Sequence, residues 1–188
     1  MALLVTGLVV FLGIHFVPAF PQVRAKLVSR LGEGRYKGLF SLLSAVGLVL
    51  IVVGFVNAPS TERVFAPFPA AIAMAPFAVT LAFILFAAAN MRGYLRQGLK
   101  HPMLIGLLIW ATVHLLANGD LRGTVLFGAF LAYAAFDLVS AVRRMAVKSF
   151  VPSAKFEVMA VVGGMGIAGG VMTLHRLLFG VRVVAFGV

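Results

Sequence analysis

Six stretches of this chain, 1–23, 38–61, 64–91, 101–119, 123–142 and 158–175, carry no Asp, Glu, Lys or Arg, except for Asp137 in the fifth. A helix needs about 20 apolar residues, with a range of roughly 17–25, to cross the hydrocarbon core of a bilayer. Each of the six windows holds one. Lipid offers no partner to a backbone N–H or C=O, so such windows fold as helices that satisfy their own ladders. A β-barrel would show alternating segments of about ten residues, and none occurs. The expected fold is an all-α integral membrane protein, a six-helix bundle with spans at Ala2–Val17, Leu39–Val56, Ala70–Asn90, Pro102–Ala117, Thr124–Ser140 and Glu157–Leu178. Bundle and loops account for the 188 residues as a single domain, 1–188. The first span lacks the basic leader of a signal peptide.

Charge fixes the expected orientation. A net charge of +11 in a chain only 11% charged could point to nucleic acid. Its distribution points instead to a membrane and to no nucleic acid. Arg24, Lys26, Arg30, Arg35 and Lys37 lie between the first two windows, Arg92, Arg96 and Lys100 between the third and fourth, and Arg143, Arg144, Lys148 and Lys155 between the fifth and sixth. The opposite side holds Arg63, Arg122, Arg176 and Arg182. Basic loops stay in the cytoplasm, so both termini are expected outside it. The basic loops then face anionic headgroups. With no cysteine, thiolate ligation, thiol catalysis and disulfides are excluded.

The chemistry must come from a few polar residues within the windows. Intramembrane ionisable groups usually face the bundle interior and are functional candidates. His15 falls near the inner end of span 1 and His101 at the N-cap of span 4, ahead of Pro102. His114 lies thirteen residues beyond His101, about 20 Å along a helix, so the two cannot share one small ligand. Gly106, Trp110, His114 and Asn118 recur every fourth residue, a slowly turning stripe that points Trp110 and His114 at one neighbour. Tyr133 and Asp137 stand one turn apart in span 5, and Asp137 is expected to pair with Arg143 or Arg144 or to bond to a partner helix. His15 and His101 are expected to form an inner cluster that reaches Tyr133 or Asp137, with His114 bonded to a neighbouring span. His15, His101 and His114 are the candidate ligands of haem iron, zinc or copper. Each has a structural alternative in a hydrogen bond to a carbonyl, which suffices for His175. Asn118-Gly119-Asp120 is expected to close a hairpin with Gly119 at positive φ, and Gly166 and Gly170, at GxxxG spacing, to pack closely on a neighbour.

Two long motifs carry a resemblance: Gly-Glu-x-x-Tyr-Lys-Gly-Leu at 32–39, and His-Pro-x-x-x-Gly-x-x-x-Trp-x-x-x-His-Leu-x-x-Asn-Gly-Asp at 101–120. Together they make the chain resemble the NnrU family of bacterial membrane proteins over nearly its whole length, which implies a bacterial inner membrane and, with the charge distribution, periplasmic termini. That family is tied to nitrite and nitric oxide metabolism in denitrifiers and is similar to the haem b enzyme zeta-carotene isomerase. The resemblance implies an axial histidine at His15 and matches His101 and His114 to further family histidines. The isomerase's second axial histidine falls where this chain has Tyr133-Ala134. A bis-histidine haem would therefore recruit His101 or His114; otherwise the haem is five-coordinate or absent. Either an isomerase-like enzyme or a non-enzymatic accessory factor follows. Lys100-His101-Pro102 through Gly106 also resembles a segment of isoprenylcysteine-type membrane methyltransferases, which implies S-adenosylmethionine as an alternative ligand. The Glu-Glu pair of those enzymes is missing downstream.

Overall fold

The computed structural model describes residues 1–147, 149–181 and 183, so the expected placements of Lys148, Arg182 and the C-terminus at Val188 lie outside the described residues. The described residues form helices α1 (Ala2–Phe16), α2 (Pro21–Leu31), α3 (Glu33–Asn57), α4 (Pro69–Ala89), α5 (Tyr94–Leu99), α6 (Pro102–Asn118), α7 (Leu121–Arg143) and α8 (Ala154–Phe179). No strand forms among them, only an isolated bridge between Arg63 and Asp120. Five helical segments are long and apolar enough to cross a membrane: Ala2–Ala19, α3, α4, α7 and α8. The fourth expected span, α6, has 17 residues, about 26 Å of rise.

The first connection differs from expectation. The basic stretch is helical rather than a loop. Pro18 ends α1 in a 3-10 turn, Val17–Ala19, but Pro21 opens α2 from the first helical position, where a missing N–H costs nothing. Gly32, at φ +78°, separates α2 from α3. The third helix then starts at Glu33, six residues before the expected Leu39. Glu33 suits the positive helix N-terminus and meets Lys37 at 2.8 Å one turn on.

Two compact units result, Met1–Glu62 and Arg63–Val188. In the first, α1 lays its buried Leu4, Leu8 and Leu12 along α3. Glycines bring the two backbones together. A Cβ on Gly7 would stand 2.6 Å from the Ile51 nitrogen, one on Gly47 2.8 Å from the Phe11 nitrogen, and one on Gly54 2.6 Å from Leu4 Cα.

In the second unit α4 packs on both α6 and α8, and α6 on α7. Gly106 lets α6 approach the Ala82 carbonyl, and Gly164 lets α8 approach the backbone of Ile84. The expected close contact of Gly166 and Gly170 is not formed: both face open space within the chain, because the packed face of α8 runs through Ala160, Gly164 and Ala168 at i+4 spacing. At one end of the unit the Val64 and Phe65 amides donate to the Gly119 carbonyl at 2.9 and 3.2 Å, and Phe68 donates to Leu116 at 2.9 Å. The start of α4 is thereby tied to the end of α6. At the other end Ser153 donates to the Arg92 carbonyl at 2.9 Å, and Glu157 Oε2 accepts from the Leu95 amide at 3.1 Å. That end collects Arg92, Arg96, Lys100, Arg143, Arg144 and Lys155.

Polar side chains within the long helices mostly bond backward along their own helix. Ser44 donates to Phe40, Asn57 to Val53, Thr80 to Pro76, Asn118 to His114 and Thr173 to Gly169, each to the carbonyl four residues earlier.

Candidate functional site

The first unit brings an aromatic row to the junction of α1 and α3. His15 sits in the last turn of α1, half-buried, its Nδ1–H donating to the Phe11 carbonyl at 2.6 Å. Its ring stacks on Phe11, centroids 4.2 Å apart, and meets the edge of Phe40 at 5.1 Å. Phe40 in turn lies 6.3 Å from Tyr36. Tyr36 is buried, and its hydroxyl has no hydrogen-bond partner among the described residues. The guanidinium of Arg24, on α2, covers the Tyr36 ring at 5.6 Å. Sequence reasoning missed Tyr36 and Arg24 as site residues. The available signal was the tyrosine inside the Gly-Glu-x-x-Tyr-Lys-Gly stretch.

The second unit places the span 4 residues as follows. His101 is the N-cap residue of α6, as expected, but its side chain makes no cap bond. His114 hangs from its own helix: Nδ1–H donates to the Trp110 carbonyl at 2.8 Å. A bond to a neighbouring span was expected; the carbonyl one turn back is simply nearer. The neighbour contributes rings instead. Both Trp110 and His114 face Phe127 on α7, at 5.1 and 4.8 Å, and Trp110 also meets Phe130 at 5.7 Å. The stripe turns about 40° at each fourth residue, which takes it from α4 at Gly106 to α7 at Trp110. Gly119 has φ +73°, and Asp120 caps α7 by accepting from the Gly123 amide at 2.7 Å while pairing with Arg122 at 3.2 Å.

Tyr133 and Asp137 do come together: the phenol donates to Asp137 Oδ2 at 3.3 Å, and Arg144 reaches Oδ1 at 3.5 Å. His175 donates from Nδ1 to the Val181 carbonyl at 2.8 Å, the structural role expected of it. No group of three or more His, Asp or Glu side chains able to hold a metal ion forms among the described residues.

Paired apolar helices, self-bonded intramembrane imidazoles and a basic end define a multi-pass helical membrane protein. The chain belongs to the NnrU family: the family model described as "NnrU protein" matches residues 3–183. No curated protein and no solved structure matches it.

Proposed function

We propose that this NnrU-family protein is a six-span inner-membrane protein with periplasmic termini. In this reading it supports nitrite and nitric oxide metabolism as an accessory factor and holds one haem b through His15. An isomerase-like enzyme on the same haem is the other form of this reading. The observation that carries it is the His15 imidazole. A metal-ligating histidine almost always donates its other ring N–H to a carbonyl, carboxylate or water. With Nδ1 on Phe11, Nε2 carries the ligating lone pair.

Haem suits these residues better than bare zinc or copper. A porphyrin brings four nitrogens and takes one or two axial ligands from the protein, whereas a protein zinc site takes about three or four side chains. The buried Tyr36 hydroxyl and the Arg24 cation supply a donor and a positive charge of the kind haem propionates take. When bound, haem supplies a redox-active iron. The chain's part is to orient the imidazole, exclude water with Phe11 and Phe40, and neutralise acid groups. His114 is the better prepared of the two further family histidines, since it too holds Nδ1 on a carbonyl; this reading places the haem at His15, beside Tyr36 and Arg24, and leaves His114 a structural role. His101 stays at the rim.

Six spans are supported by the ties at the start of α4. If α4 crosses the bilayer, α6 must return the same distance to bring Leu116 and Gly119 back to Phe68 and Phe65. Its 17 residues lie at the short end of the spanning range.

The test is the optical spectrum of the detergent-purified chain after haem feeding. A Soret band with a pyridine haemochrome, lost in His15→Ala and kept in His114→Gln, is the expected result. Colourless protein with no metal by elemental analysis removes haem, and calorimetric titration with S-adenosylmethionine then tests the methyltransferase likeness.

A further inference from the structure

A cleft of about 310 Å³ lies between α5 and the segment after α7, lined by Arg96, Gln97, Lys100, Ser149 and Phe150. Its polar groups are donors or neutral, and no carboxylate lines it among the described residues. The nearby acid, Glu157, is already engaged by the Leu95 amide. Arg96 is held in place, its guanidinium 5.1 Å above the Phe150 ring. Lys100 sits at φ +63°, a backbone conformation that non-glycine residues adopt only when their surroundings impose it. Two cations with an amide and a hydroxyl match the oxygens of a phosphate ester, which guanidinium binds in bidentate fashion.

We propose that this cleft binds the phosphate of one anionic phospholipid headgroup. The volume is at the low end of the roughly 300–1,000 Å³ of small-molecule sites, enough for a headgroup and not for acyl chains. Apolar surface for the chains lies on the end of α7 that leads into the cleft: Val139 and Val142, seven and four residues before the lining residue Ala146, are 51% and 58% exposed. That combination selects a lipid over a free phosphate ion. The proposal rests on α5 lying at the headgroup level, as the six-span reading has it. The experiment in detergent does not depend on which side α5 faces, so the two can fail separately.

Native mass spectrometry of the full chain, released from detergent containing equal phosphatidylglycerol and phosphatidylcholine, reads the preference directly. The wild type should retain one phosphatidylglycerol in preference to phosphatidylcholine. Each basic residue near a surface attracts an anionic lipid about fivefold, so Arg96→Gln with Lys100→Gln should lower the preference about twenty-five-fold. Lys26→Gln with Arg30→Gln, on α2, should leave it unchanged. Equal retention of both lipids by the wild type overturns the proposal and needs no variant. So does an unchanged preference in the Arg96/Lys100 double variant, or an equal loss in the α2 control. Displacement of the lipid from the wild type by inorganic phosphate would identify a soluble anion as the ligand and overturn the lipid assignment.

Discussion

The rings of His114 and Phe127 lie 4.8 Å apart and 30° from parallel, linking α6 to α7 by an aromatic contact rather than a hydrogen bond. Among the described residues this imidazole makes its hydrogen bond back to the Trp110 carbonyl. His114→Gln should therefore keep any Soret band while lowering stability. The ring also lies 4.9 Å from Trp110, and losing the contacts to Trp110 and Phe127, at about 0.5–1.5 kcal/mol each, gives a loss of about 1–3 kcal/mol, read by thermal unfolding in detergent. An unchanged melting temperature with a lost spectrum would reverse the role assigned here.

Glycines on α3 should respond to alanine according to what they face. Gly54 lies against the Leu4 backbone, so Gly54→Ala must push α1 away and should cost about 1–3 kcal/mol. Gly38 meets nothing within 4 Å, and Gly38→Ala should gain up to about 1 kcal/mol from helix propensity. Parallel unfolding measurements on the two variants check both signs, and equal effects would refute the packing.

Tyr36 offers a trade between stability and binding. Its buried hydroxyl lacks a partner among the described residues, so Tyr36→Phe should stabilise the haem-free chain by about 1 kcal/mol. The same change should weaken haem retention if the hydroxyl donates to a propionate. Haem loss to an apo-globin scavenger, followed beside the melting temperature, separates the two effects. A destabilised Phe variant would show that the hydroxyl is already satisfied.

Much of this was legible beforehand, for physical reasons that differ by element. Charge-free windows locate the long apolar helices, and Pro102 and Gly119 mark the ends of α6 through backbone geometry alone. The helical course of 21–37 was not legible, since its composition suits a loop equally well and the boundary depends on Gly32 at positive φ. Nor was the packed face of α8: glycine spacing fits both Gly166/Gly170 and the face through Gly164, and only the position of Ile84 decides. The Tyr133–Asp137–Arg144 chain follows from helical spacing, whereas Tyr36 and Arg24 meet only because α2 folds back on α3.

Orientation can be checked with unusual economy, because the chain has no cysteine to remove. Single cysteines at Gln97 and Ala146 should label only from the cytoplasm, and one at Val64 only from the periplasm. Val64 also reports on the α6–α7 turn, since its amide is bonded to Gly119. Labelling of Val64→Cys and Gln97→Cys from the same side would reduce the spans to fewer than six, and labelling of Val64→Cys only from the cytoplasm would remove the periplasmic N-terminus.

The backward bonds along the helices bear on biogenesis. Ser44, Asn57, Thr80, His114 and Asn118 each carry their own carbonyl partner one turn away. A nascent helix of this kind can leave the translocon with one donor on each of these side chains already satisfied, before any later helix has been made. Insertion is then uncoupled from assembly, and partner choice falls to steric fit between glycine-notched surfaces once all the helices share the bilayer.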